Sequence, residues 1–429
     1  MTRIFTRLNP VADVVLDLSS RLSKSLRARV ARVPLANALG RIAAREYTAL
    51  RDLPEQDKSV LDGYAVRSVD VAGASQAEPA FLRVVGSSTP GSPFYGSLEP
   101  GTAVRVSTGS ILPRGADTVI PIEAVKNVGN SILVYKPFAP GYGVMKRGED
   151  FRAGDVIVER GKRIEWWHIG VLAAQGYDTV EILELPQVAL FVVGDEVVEP
   201  GSELKPGMVY NSTGHLISAY LTSRGFRVTY LGLYSDDVED VRAGLERALK
   251  HGDIILATGG TSVGERDNTA RVLREYVESE GGVFYHGFLL RPGRPLGVGV
   301  AGGKLVASLS GFPVAAWAQV YAVIEQIVYK ALGLPWPPDP LLWARVSRRI
   351  ASPAGVLDVI RVRVCLEGVE LVLQPLRVTG SGVLSTLVEG NAVLLVPPES
   401  TGFDEGSLAP VRLLHTEIPS CKSGGGAGG

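Results

Sequence analysis

Residues 253–267 read DIILATGGTSVGERD, and this stretch decides the fold. An apolar run that ends at turn residues marks a buried strand. Here it delivers Gly259, Gly260 and Gly264, the hydroxyls of Thr261 and Ser262, and finally Asp267. Glycines let a backbone come close to an anion, and a loop that opens a helix offers unpaired N–H groups. In open α/β sheets, ligands sit at the carboxyl ends of strands in this way. The stretch therefore reads as a cradle for a phosphorylated ligand, with Asp267 as a hard carboxylate suited to Mg²⁺. It fits neither the Walker A nor the dinucleotide pattern. A structural strand-to-helix turn with a capping aspartate is the alternative.

Outward from this loop, strands and helices alternate. VALFVV (188–193) and FRVTYLG (226–232) read as strands, residues 213–224 as a helix stopped by Gly225, and Ser235 as the cap of the next helix. A helix follows from about Asn268, then strand-like VFYHGFLL, PLGVGV and KLVASL, and a last helix from Pro313 to about Leu332. This alternation predicts a parallel or mostly parallel sheet with helices on both faces. Upstream, Asn9-Pro10 looks like a cap before an amphipathic helix with Val11, Val15, Leu18, Leu22 and Leu26 at helical spacing. Residues 80–145 carry short β-rich runs between turns, a small β domain. The stretch from Gly148 to about Leu183 could return beside the first helix, so the N-terminal domain reads as discontinuous. Beyond the proline-dense LGLPWPPDP, runs such as RVRVCLEG and AVLLVPP predict an all-β C-terminal domain. KSGGGAGG at the end can bury nothing.

Composition narrows the class. The 429 residues exceed the roughly 250 to 300 that one core supports, and 45% hydrophobic with 21% charged residues is a globular balance. With 44 basic and 45 acidic residues, nothing in the totals points to nucleic acid or an anionic membrane. Cys365 and Cys421 are too few for a disulfide framework or thiolate metal site, so a reducing, cytoplasmic home is expected. The N-terminus lacks an apolar signal core, and no apolar run spans a bilayer.

Other groups could carry chemistry. Asp236 follows a strand and is a second candidate metal ligand, or else a helix cap. Asp195 and Glu196 follow another strand end. Arg291 and Arg294 stand in a proline-stiffened RPGRP loop, and guanidinium forks match oxyanions. Asp62 and Thr108 lie in polar turns that read alone as ordinary. His168, His215, His251 and His286 show no zinc spacing.

In order, SVLDGYAV, RVSTGSILPRGADTVIPIE, RGEDF, VGDEV, GGTSVGERD, RPGRP and SGFPVA resemble the molybdopterin molybdenumtransferase family, the MoeA and gephyrin E-domain group, over roughly residues 10–415. The resemblance implies a multidomain α/β and β fold. A central MogA-like α/β domain (187–334) would join a discontinuous N-terminal domain (1–54 and 146–186) carrying a small β domain (55–145). A C-terminal all-β, barrel-like domain (340–416) and a disordered tail (417–429) would follow.

The resemblance also implies a homodimer that inserts molybdate or tungstate into adenylylated molybdopterin with Mg²⁺-dependent release of AMP. Other molybdenum cofactor biosynthesis proteins are further partners it would bring. Asp62, Thr108, Glu196 and Asp267 match the family's catalytic positions, Asp62 and Thr108 completing the partner's cleft. Asp236 and Asp267 match carboxylates associated with Mg²⁺. Gly259, Gly260, Thr261, Ser262 and Gly264 would hold the substrate, as would Arg291, Arg294, Arg361 and Ser381. The family's PGNPVS loop reads Ser310 to Ala315 here, with Phe312 for asparagine, and Gly287 stands where lysine is common. Those departures leave open a pterin-binding sensor or scaffold. The extra domains argue against an adenylyltransferase that shares only the α/β domain.

Overall fold

The computed structural model describes residues 8–260, 268–336, 339–376 and 382–421. The chain forms two compact units, Ala31–Ile182 and, from both ends of the chain, Met1–Val30 with Leu183–Gly429. No helix among the described residues is long and apolar enough to cross a membrane.

The Ala31–Ile182 unit holds a six-stranded sheet whose neighbours run Thr118–Pro121, Gly63–Val66, Thr102–Val106, Ala80–Ser88, Ser131–Val134 and Val125–Val128. Tyr64, Leu82, Ile120 and Ile132 fill one of its faces. Beside it, residues 31–54 and 146–182 fold together. Arg29–Pro34 and Ile42–Ala43 flank Thr179–Glu184, and Tyr47, Ile164, Leu172 and Ile182 close the core.

Helix α1 (Val11–Leu22) belongs to the other unit, where Val14, Val15, Leu18 and Leu22 are buried, whereas α2 (Trp166–Ala174) lies within the Ala31–Ile182 unit. Residues 146–182 therefore pack with the strand region after residue 30 rather than beside the first helix as expected, and α1 packs on the α/β domain. Asn9 does not cap it. Its side-chain amide donates to the carbonyls of His286 and Gly287, at 3.1 and 2.9 Å, and Pro10 takes the cap position.

In the α/β domain the strands are β1 (Val188–Val193), β2 (Val197–Val198), β3 (Val209–Tyr210), β4 (Val228–Tyr234), β5 (Ile254–Gly259), β6 (Val283–His286), β7 (Leu290–Arg291), β8 (Gly297–Ala301) and β9 (Lys304–Leu309). The sheet order is β4-β1-β5-β9-β8-β6. Its first three pairings are parallel and its last two antiparallel. The parallel part carries the all-buried runs VALFVV and IILATG, as expected of strands covered on both faces. Helices α3 (Ser212–Ser223), α4 (Val238–His251) and α5 (Asn268–Ser279) cover it, with Phe191, Leu245, Ile255 and Leu273 in one core. The last helix is α6 (Pro313–Gln319), a π segment (Val320–Ile324) and α7 (Glu325–Ala331).

After this come β10 (Leu341–Val346), β11 (Leu357–Glu367), β12 (Glu370–Pro375), β13 (Ala392–Val396) and β14 (Leu408–Leu413). They close a five-stranded barrel in the order β11-β12-β10-β14-β13, with β13 returning to β11, and full closure leaves no bare edge. Strand β7, two residues from the α/β domain, adds alongside β11 in parallel.

The two cysteines correct the sequence expectation, because Cys365 and Cys421 form a disulfide. Their closeness comes from tertiary pairing. Leu366 bridges Ser420, Leu366 N–H donates to Pro419 O at 2.8 Å, and Cys421 N–H donates to Leu366 O at 2.9 Å. Residues 417–421 are therefore bound to the barrel rather than loose, and the predicted disorder of residues 422–429 lies outside the described residues.

Candidate active site

Five chain segments meet at the carboxyl end of the parallel strands. Gly259 and Gly260 end β5 at φ of 91° and 63°, the left-handed region that favours glycine. A side chain has no room there: a Cβ on Gly259 would lie 2.0 Å from Val193 O, and one on Gly260 would lie 2.3 Å from Thr269 Oγ1. Thr261, Ser262, Gly264 and Asp267 lie outside the described residues. On the far side of that gap, α5 opens with Asn268, whose amide donates to Asp236 O at 2.8 Å. The buried hydroxyl of Thr269 has no hydrogen-bond partner among the described residues.

Asp236 stands at this junction. It does not cap α4; Asp237 does, accepting from Glu239 N–H at 2.9 Å, and Ser235 instead donates to Asp240. Asp236 is thereby left free to face Asp195. Asp195 N–H donates to Asp236 Oδ2 at 3.3 Å, and Asp236 N–H donates to Asp195 Oδ1 at 3.2 Å. One Asp236 oxygen also comes within 3.2 Å of a Cβ position on Gly260. Exposed Glu196 follows Asp195 on the same loop. The cluster sets hard oxygen donors beside a glycine turn and a helix N-terminus, the chemistry that suits a divalent cation and phosphates.

The SGFPVA loop closes a second side. Thr258 Oγ1 donates to Ser310 O at 3.0 Å and Thr213 Oγ1 to Gly311 O at 2.6 Å, which seats Gly311 directly over Gly259. Fully buried Gln319 ties this loop to RPGRP. It accepts from Ser310 N–H at 2.8 Å and donates to Gly293 O at 2.9 Å. Between the two loops lies a cavity of about 430 Å³, whose lining includes Arg291, Arg294, Ser310, Phe312, Ala315 and Pro353. Phe312 is 61% exposed, and its ring faces Gly382 of the barrel domain.

The three predicted arginines differ in setting. Arg291 is ion-paired with buried Asp358, which also accepts from Ser352 Oγ at 3.0 Å, so its guanidinium is held rather than free to swing. Arg294 is exposed and has no ion pair among the described residues. Arg361 is 5% exposed, donates to Val359 O and Thr386 Oγ1, and is not part of the cavity lining. Burial lowers its pKa against a smaller opposing pull from Asp358. Ser381 lies outside the described residues.

In the Ala31–Ile182 unit, the pairing of Gly63 with Val106 brings Asp62 beside Thr108. Asp62 Oδ1 accepts from Thr108 N–H at 2.7 Å and from Thr108 Oγ1 at 3.1 Å, on an exposed rim.

The sequence reading missed Asn268, Thr269, Gln319 and Asp358. A lone glutamine within the apolar run PVAAWAQVYAVI was the available signal for Gln319.

Known proteins resemble the chain throughout. Residues 10–176 match the MoeA N-terminal region (domain I and II), residues 189–331 a probable molybdopterin binding domain, and residues 344–414 the MoeA C-terminal region (domain IV). A putative molybdopterin biosynthesis protein of Methanocaldococcus jannaschii is 31% identical over 422 residues, covering 96% of this chain and 100% of that one. A molybdopterin molybdenumtransferase of Bacillus subtilis is 29% identical over 389 residues, covering 90% of each. The solved structure of a molybdopterin biosynthesis MoeA protein from Pyrococcus horikosii matches with a TM-score of 0.77 at 32% identity, covering 96% of this chain and 100% of that one. With three models in chain order and end-to-end likeness to these relatives, this chain belongs to the MoeA family, whose work is molybdenum cofactor biosynthesis.

Proposed function

We propose that the chain is a molybdopterin molybdenumtransferase that transfers molybdate or tungstate into adenylylated molybdopterin and releases AMP, working in the cytoplasm as a homodimer. The observation that carries this reading is the convergence of Gly259, Gly260, the Asp195–Asp236 pair and the Thr269 hydroxyl, unpartnered among the described residues, at one strand edge. Relatives named for this activity support it.

In this reading, the glycine turn and the N-terminus of α5 orient the ligand's pyrophosphate through backbone N–H groups and the Thr269 hydroxyl. The donor set fits Mg²⁺: Asp236 and Asp267 would hold it, and bound there it would neutralise pyrophosphate charge. Arg291, fixed by Asp358, and Arg294 present positive charge to the oxyanion at the cavity they line, and the family resemblance offers Arg361 and Ser381 as further contacts for it. Glu196 remains for orienting water or substrate, and Asp62 and Thr108 would, by the family resemblance, do so in the cleft of the other copy of the homodimer. Preorganised charge rather than a covalent nucleophile performs the work.

The test incubates the protein with adenylylated molybdopterin, Mg²⁺ and either oxyanion, and measures AMP. Oxyanion-dependent AMP release is expected. Tight pterin binding with no oxyanion-dependent release would overturn this reading in favour of a binding or scaffold role, which the exposed ring of Phe312 at the cavity favours.

A further inference from the structure

Between β1 and α3 the chain makes an excursion, residues 194–211, that carries Asp195 and Glu196. It leaves the sheet at Gly194, where φ is 154° and a Cβ would lie 2.8 Å from Val197. It then forms the two-residue parallel ribbon β2–β3 and returns at Asn211, whose side chain caps α3. Residues 200–207, the tip, are exposed throughout. The bond from the Tyr210 hydroxyl to Ser202 O, at 3.0 Å, stays within the excursion and does not tie the tip to the α/β core.

Beyond the Asp195–Asp236 exchange at its start, one side chain ties the excursion to the core. The Glu199 carboxylate is gathered by Asn211 Nδ2 at 3.1 Å, by His215 Nε2 on α3 at 2.9 Å, and by the Tyr230 hydroxyl on β4. Asn211 also donates to Tyr230 at 2.8 Å, so the three anchors brace one another. Burial alone would raise the carboxyl, but donation from Tyr230, His215 and Asn211 outweighs it and leaves Glu199 below the usual carboxylate range. None of these groups is part of the strand-edge cluster. They join the excursion to elements whose own positions are set by the α/β core.

We infer that Glu199 is a positioning residue: it staples the 194–211 flap to α3 and β4 and so sets where Asp195 meets Asp236 and where Glu196 stands beside it in the chain. This rests on the transferase reading only for its kinetic consequence. The mechanical claim stands on the hydrogen bonds alone. Without Glu199 the flap keeps only its two-residue ribbon and the long Asp195–Asp236 bonds at its start, and it opens locally at little cost, whereas three bonds to an ionised group hold it closed.

The test compares wild type with Glu199→Ala, Glu199→Gln and Tyr230→Phe in the full chain. Hydrogen exchange of amides 195–210 is followed without ligand, and kcat and KM for AMP release are measured separately. Glu199→Ala is expected to speed exchange of those amides roughly 10-fold or more, leaving the amides of β5 and α4 unchanged. It should also lower kcat about as much, with KM little altered. Glu199→Gln, which keeps an acceptor for Tyr230 and Asn211, should fall between. Tyr230→Phe keeps the ring and carries the same expectation at smaller size should Glu199→Ala not fold. Unchanged flap exchange in the variants would overturn the inference, as would faster exchange with both kinetic constants intact. Absence of AMP release in wild type would overturn the transferase reading and leave the exchange result to decide the staple.

Discussion

Asp195 and Asp236 each donate a backbone N–H to the other's carboxylate, at 3.3 and 3.2 Å, across the ends of two neighbouring strands. Asp236→Asn keeps an oxygen for Asp195 N–H and loses the full negative charge. The fold should persist by circular dichroism. Mg²⁺-dependent AMP release should fall about 100-fold, the scale of a lost electrostatic contact in a preorganised site. Asp267→Asn should act alike. An unaltered dependence on Mg²⁺ concentration in both would remove the metal role from this pair.

Gln319 should be costly to replace by leucine. That change strands the buried Ser310 N–H and leaves Gly293 O without its donor. Two orphaned groups predict a loss of roughly 2–4 kcal/mol in denaturant unfolding, with a raised KM because the two cavity loops lose their common anchor. A loss below about 0.5 kcal/mol, the range of ordinary surface changes, would show that the loops hold their places without it.

Arg224 grips Asp339 with two parallel bonds, at 2.6 and 2.8 Å, and Glu325 with a third at 3.0 Å, all largely out of water. Arg224→Met would leave two buried carboxylates uncompensated, at about 3–5 kcal/mol. Burial holds the Glu325 carboxyl above its usual range, against the pull of Arg224. The folded state therefore favours its proton: the stabilising contribution is complete below about pH 4.3 and is lost as pH rises through the elevated value. Unfolding free energies measured at pH 5 and pH 8 should show the variant more damaged at pH 8. The reverse order would contradict the assigned direction.

The Cys365–Cys421 bond joins residues 56 apart. By loop-closure entropy it is worth at most about 4 kcal/mol. Thermal unfolding of wild type should shift downward under a strong reductant, while Cys421→Ser starts lower and ignores reductant. AMP release at 25 °C should be the same in both, since the bond lies on the barrel.

Much of the α/β domain was readable because its information is local. VALFVV and DIILAT are continuous apolar runs, and glycine after the second marks where the backbone must turn beneath Val193. The mixed edge was less so, since β8 and β9 look alike whether they run parallel or antiparallel. What escaped depends on distant partners. Asn9 reads as a cap but binds the carbonyls of His286 and Gly287. Ser235 and Asp237 are both good caps, and only the neighbouring Asp240 decides between them. Cys421 looks like part of a tail until Ser420 pairs with Leu366. At the candidate site, Asp195, Asp236, Gly259 and Arg291 could be named from residue type, whereas Thr269, Asp358 and Gln319, which pack against or hydrogen-bond that region, come from other segments.

Strand β7 has a consequence for how this chain can vary. Its two residues leave the α/β domain to pair with Leu357 and Asp358 of the barrel, and the second of them is Arg291. The barrel is accordingly no detachable module. Exchanging it for a relative's would need a matching residue at 358 and the same register, or the arginine would lose its anchor. Insertions should therefore be tolerated at the exposed 200–207 tip and selected against between residues 352 and 361, where Ser352 and Asp358 to Arg361 are buried.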